Sequence, residues 1–244
     1  MLRGVEQMRR VGGTERALAG ALASLLLLFP AASAQQPASI PASDGSTIAA
    51  DVYGAGDHAV VLAHGGRFDK SSWAEQAKAL ADAGFRVVAI DFRAAERVRA
   101  GEETPCLYDA ACLAVDVLAA VRYLRQSGAR MVSVVGASLG GGAAAQAAVD
   151  AREGEIDRIV LLAHMAIAAP EALKGRKLFV VARDDAGAGG APRLPRIRDQ
   201  YEKAPEPKRL LLLDGSAHAQ FIFDTPEGER LMQEILRFLS EPSG

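Results

Sequence analysis

The chain has 244 residues, 50% of them hydrophobic and 24% charged, with a formal net charge of −2. That is the composition of an ordinary globular protein with room for one sizeable core. The mild acidic balance leaves no electrostatic footprint for a nucleic-acid or anionic-membrane partner.

The first segment stands apart from the rest. "MRRVGGTERALAGALASLLLLFPAASA" has a basic start, an apolar run from Ala17 to Phe29, and small residues at Ala32 and Ala34. This is the pattern of a secretory signal peptide over residues 1–34, cleaved after Ala34. A membrane anchor is the competing reading, but the run before Pro30 falls short of the roughly 20 apolar residues that a span needs. A periplasmic or secreted protein is expected, free of the membrane once the signal is removed. Its two cysteines, Cys106 and Cys112, lie in the exported part. An oxidising compartment permits a bridge between them, and two reduced, half-buried thiols are the alternative.

Residues 35–45, "QQPASIPASDG", read as a polar, proline-bearing arm leading into a first edge strand at "STIAADVYG", so the folded domain is expected over residues 46–244. Apolar runs follow at 59–66, 86–93, 131–138, 158–164, 177–185 and 209–215. They are continuous rather than alternating, as in strands of a parallel sheet buried on both faces. The spacers "SSWAEQAKALADAG", "YDAACLAVDVLAAVRYLRQSG" and "TPEGERLMQEILRFLS" have apolar residues at helical spacing and stop or start at serine, glycine or proline. The expected fold is a single doubly wound α/β domain, its mostly parallel sheet covered by helices on both faces. Only Met165 to Arg176 separate two of the strands, which leaves no room for a helical cap, so any active site is expected to be open to solvent.

Ligands bind open α/β sheets at the carboxyl ends of the strands. There "GASLGG" places Ser138 in G-x-S-x-G between a strand and a helix. In that elbow the flanking glycines make room for a tight turn that lifts the hydroxyl out of the sheet. A dinucleotide turn is disfavoured because its middle glycine is Ser138, and no Lys-Ser or Lys-Thr follows for a phosphate loop. A serine needs a base. His58 precedes its strand, and His64 and His164 end strands. His218 lies on the loop before the final helix, after both Ser138 and an acid, and is the expected base. The acid is Asp184 or Asp185, with Asp185 preferred because the strand before it runs out near Ala182. Oxyanion donors are expected from the backbone of Leu139 and from that of Gly66 or Arg67 in "VVLAHGGRF". Phe68, Trp73, Phe92, His164 and Phe221 are pocket or packing residues, and Arg93, Arg97 and Arg99 either meet an acidic substrate or form a solvated face.

With "LAHGG", "GASLGGG", "ARDD" and "GSAHAQF" in the order Ser, Asp, His, the chain resembles the α/β-hydrolase superfamily over nearly all of its exported length. More narrowly, it resembles the lidless dienelactone-hydrolase-like branch. Dienelactone hydrolases carry a cysteine nucleophile where this elbow has Ser138. The resemblance implies a serine hydrolase, most simply a carboxylesterase acting on a small-molecule acyl substrate, with no metal or organic cofactor. Thioester and peptide bonds, a dienelactone-hydrolase-like activity, or a non-catalytic binding protein on the same fold are the alternatives.

Overall fold

A computed structural model of the protein describes residues 35–242. Residues 1–34, expected to be a signal peptide, lie outside the described residues. Among the described residues, eight strands form one sheet in the order β1-β2-β4-β3-β5-β6-β7-β8. Their ranges are β1 Gln36–Pro41, β2 Thr47–Tyr53, β3 His58–Ala63, β4 Arg86–Ile90, β5 Met131–Ala137, β6 Arg158–Leu162, β7 Arg176–Ala182 and β8 Lys208–Leu213. The strands β3 to β8 run parallel, while β1 and β2 lie antiparallel along one edge. The continuous apolar runs are the central strands, with β4 to β7 buried almost throughout.

The expected arm at 35–45 is corrected by the structure. Gln36–Pro41 is the outermost strand, paired with β2 from Gln36 opposite Val52 to Pro41 opposite Thr47. Its composition hid it, since Pro37 and Pro41 lack an N–H and such residues are tolerated only at a sheet edge. Ile40 is nonetheless fully buried, with Ala38 half-buried on the same face. The folded unit therefore begins before residue 46. His58, expected to precede its strand, is the first residue of β3.

Among the described residues the α-helices α1 Ala74–Asp82, α2 Arg93–Arg99, α3 Ala110–Gln126, α4 Leu139–Asp150 and α5 Leu194–Lys203 lie between strands, and α6 Gly228–Ser240 follows the last one. Right-handed crossovers fix their sides. The step from β3 to β4 goes one way along the sheet, and the steps from β4 to β5, β5 to β6, β6 to β7 and β7 to β8 go the other. Consequently α1 covers one face, and α3, α4 and α5 cover the other. The reversal falls between β3 and β5, and their carboxyl ends border the crevice in which doubly wound sheets hold their ligands.

Helix α4 follows β5 directly and is built for close approach. A Cβ on Gly140 would stand 2.3 Å from the Ala63 carbonyl oxygen, and one on Gly141 would stand 2.7 Å from the His164 Cβ. The final helix buries Leu231, Ile235, Phe238 and Leu239, a single stripe at helical spacing. Between β6 and β7 the chain makes only a short turn, Pro170–Ala172, so no cap domain is inserted there. Cys106 and Cys112 are joined by a disulfide with Cα atoms 5.3 Å apart.

Candidate active site

Ser138 is the single residue between β5 and α4, with φ 51° and ψ −109°. A side chain rarely adopts that backbone, and its neighbours hold it there. Its N–H donates to Leu162 O at 2.8 Å, and its carbonyl accepts from the N–H groups of Gly142 and Met165, each at 3.0 Å. The flanking glycines are required sterically, because a Cβ on Gly136 would lie 2.3 Å from the Gly140 carbonyl oxygen. The hydroxyl thus stands above the sheet at the positive end of α4.

His218 follows β8 on the loop before α6. Its Nε2 accepts from Ser138 Oγ at 2.8 Å, and its Nδ1 donates to Asp185 Oδ2 at 2.8 Å. Asp185 is fully buried just past β7, which ends at Ala182, and Asp184 is exposed. Of the two aspartates, Asp185 is the one that the turn brings to the imidazole. Arg193 Nε stands 3.2 Å from the other carboxylate oxygen, and the Arg193 N–H donates to Asp185 O at 2.9 Å. The buried carboxylate therefore faces two cationic or proton-donating partners. A hydroxyl, an imidazole and a carboxylate in one hydrogen-bonded chain can move a proton off the oxygen and stabilise the imidazolium that results.

The third element is the loop after β3. Gly66 is exposed and faces α4, with its Cβ position 3.5 Å from the Leu139 side chain. Among the described residues, no group engages the N–H of Gly66, Arg67 or Leu139. The Gly65 N–H, by contrast, donates to Gln220 Oε1 at 2.8 Å, which leaves Gly66 and Arg67 as the free donors of that loop.

The remaining histidines have other surroundings. His64 is fully buried, donates from Nδ1 to Gly65 O at 2.8 Å, and is held below its ordinary pKa by burial. Burial likewise pushes His164 down to about 3 and His58 down to about 4, and His58 Nε2 lies 2.8 Å from Ser133 Oγ at the start of its strand. Trp73, Phe92 and His164 are buried packing residues, whereas Phe221 is 42% exposed and its ring pairs with Phe68 at 5.1 Å. The arginines of α2 are spoken for. Arg93 pairs with Asp116 and Asp44, Arg97 with Glu102 and Arg99 with Asp91. A cleft of about 600 Å³ beside Arg93 and the disulfide contains none of Ser138, Asp185 or His218.

Arg193 and Gln220 are the site residues that sequence reasoning missed. Gln220 acts on a segment 155 residues away, hinted at only by its closeness to His218 in "HAQF", whereas Arg193 turns back on Asp185 from within the same loop.

The fold agrees with that of known proteins. Residues 60–241 match the model of the alpha/beta hydrolase family. No curated protein matches the chain. Among solved structures, the chain is similar to a dienelactone hydrolase from Anabaena variabilis ATCC 29413 at 22% identity and a TM-score of 0.72, covering 85% of this chain and 97% of that one. It is also similar to an esterase from Pyrococcus furiosus (18% identity, TM-score 0.68, 87% and 94% covered). An esterase from Exiguobacterium antarcticum matches at 14% identity and a TM-score of 0.65, with 84% and 100% covered. At these identities the likeness is one of fold. The family model spans the sheet from β3 to β8, with the elbow at its centre, and the chain belongs to the alpha/beta hydrolase family.

Proposed function

We propose that the protein is an exported serine hydrolase that cleaves a carboxylic ester through an acyl-enzyme on Ser138. The observation that carries this reading is the unbroken chain from Ser138 Oγ through His218 to the buried Asp185. As Ser138 Oγ attacks the carbonyl carbon, His218 Nε2 takes its proton, and the carbonyl oxygen becomes an oxyanion held by the N–H groups of Leu139 and Gly66. His218 then gives the proton to the departing alcohol. A water, deprotonated by the same imidazole, attacks the acyl-enzyme, and His218 returns that proton to Ser138 Oγ as the acyl–oxygen bond breaks and the acid leaves. Asp185 keeps the proton on Nδ1 and stabilises the imidazolium.

The dienelactone hydrolase and esterases that share the fold support an acyl substrate. Export is supported by the residue pattern of 1–34 and by a disulfide at Cys106 and Cys112. A panel of chromogenic esters tests the reading. The purified exported protein is expected to turn over at least one, and a fluorophosphonate is expected to label Ser138. Both signals should vanish in a folded Ser138→Ala variant. A wild-type protein that hydrolyses none, or labelling that survives the substitution, overturns it.

A further inference from the structure

We infer that Gln220 is a positioning residue that holds the Gly66 N–H in register with Ser138 during acyl transfer; this rests on the reading of Ser138 as nucleophile. Gln220 lies two residues past His218, on the turn Ala219–Asp224, and is only 6% exposed. Its Oε1 accepts from the Gly65 N–H at 2.8 Å, and its Nε2 donates to Ser72 Oγ at 2.9 Å. Ser72 Oγ in turn donates to Asp69 O at 2.6 Å. Both ends of the amide are therefore used, which fixes which way round it sits.

The adjoining peptide is held from its other side. Gly65 O accepts from His64 Nδ1 at 2.8 Å and from the Phe68 N–H at 3.0 Å. In a planar trans peptide the C=O and N–H point in opposite directions, so clamping Gly65 O also aims the Gly66 N–H. Gln220 supplies the remaining constraint by fixing the preceding peptide. It does so from the segment that carries the base, across Ala219 at φ 51°, a backbone that persists only where the surroundings over-determine it. The base loop and the donor loop thus move as one piece.

Two ring contacts join the same segments, Phe68 with Phe221 at 5.1 Å and Trp73 with Phe223 at 5.9 Å. The seam therefore holds without Gln220, while the aim of the donor depends on it. A donor that meets charge only as the carbonyl becomes tetrahedral acts on the transition state, so its loss falls on kcat rather than KM.

The test uses the best ester of the panel. Gln220→Met, which keeps length and loses the acceptor, is expected to lower kcat by roughly 10- to 100-fold with KM changed less than about threefold. Affinity for an alkylboronic acid, which forms a tetrahedral adduct on Ser138 Oγ, should fall by a similar factor. The pH profile of kcat/KM should keep its shape, since the His218–Asp185 bond is untouched. Gln220→Glu keeps the acceptor for Gly65 but loses the Nε2 donor to Ser72, so its kcat should fall between wild type and Gln220→Met. Thermal unfolding checks each fold. Should Gln220→Met not fold, Ser72→Ala reads the same clamp through the other end of the amide, with kcat expected about three- to tenfold lower. A folded Gln220→Met with wild-type kcat, a loss confined to KM, or Gln220→Glu as slow as Gln220→Met overturns the proposal while leaving Ser138 as nucleophile. A wild type without turnover overturns both.

Discussion

Asp185 Oδ2 lies 2.8 Å from His218 Nδ1, while Asp184, one residue earlier, is exposed and anchored through its N–H to Gly215 O at 3.0 Å. The two aspartates have the same chemistry and differ only in where the turn after β7 aims them. Asp185→Asn is expected to lower kcat on the order of 10⁴-fold, the cost of a misplaced imidazole tautomer in a serine protease. Asp184→Asn should stay within about threefold, as surface substitutions generally do. Steady-state kinetics on one ester, with both variants checked for folding, decides it. The reverse pattern would move the role to Asp184.

Ser138 occupies a backbone region that disfavours any side chain, at φ 51° and ψ −109°. Such strain costs about 1–3 kcal/mol, and glycine escapes it at an entropic cost of about 0.5–1 kcal/mol. Ser138→Gly should therefore be inactive yet more stable than Ser138→Ala, by about 1 kcal/mol or more. Urea unfolding of the two variants, neither with a nucleophile, isolates the backbone term. Equal midpoints would mean that the elbow is relaxed.

Much of this arrangement was legible in the sequence because it depends on local chemistry. The buried strands announce themselves as uninterrupted apolar runs, and the elbow does so through glycines that the structure shows a Cβ could not replace at 136 or 140. The end of β7 at Ala182 is what favoured Asp185. Edge strand β1 was missed because proline, with no N–H for the ladder, reads as a loop residue everywhere except at a sheet edge. Helix α2 was missed because its arginines read as a charge run, when each is paired to an acid. Gln220 was out of reach for a different reason, since it acts on a segment that only folding brings close.

Three histidines are held neutral in the folded protein, and acid should expose this. Burial lowers His64, pushes His58 from 6.5 to about 4 and pushes His164 from 6.5 to about 3. With folded values below the unfolded one, the unfolded chain binds more protons in the interval between them. The stability from neutral histidines is thus fully present above pH 6.5 and is lost as pH falls toward 4 and then 3. Each histidine contributes at most about 1.4 kcal/mol per pH unit within its window. The urea midpoint should fall between pH 7 and pH 5, before most carboxylates titrate. His58→Gln, which can keep a bond to Ser133, should show a shallower fall. An unchanged midpoint across that range would contradict the assignment.

The last prediction concerns export and the disulfide together. Cys106 sits on the turn Pro105–Tyr108, and Cys112 lies in the first turn of α3, six residues later. Both ends already have caps, with Thr104 Oγ1 accepting from the Cys106 N–H at 3.2 Å and Asp109 Oδ1 from the Ala111 N–H at 2.9 Å. A bridge across so short a loop removes little chain entropy from the unfolded state, about 2 kcal/mol. Replacing both cysteines by serine should cost about that much in unfolding free energy while leaving the fold intact. N-terminal sequencing of the exported protein should begin at Gln35, and mass spectrometry without reductant should find no free thiol. An intact Met1 or Met8 start in a cytoplasmic fraction would refute export. Two free thiols after correct processing would remove only the bridge and leave export standing.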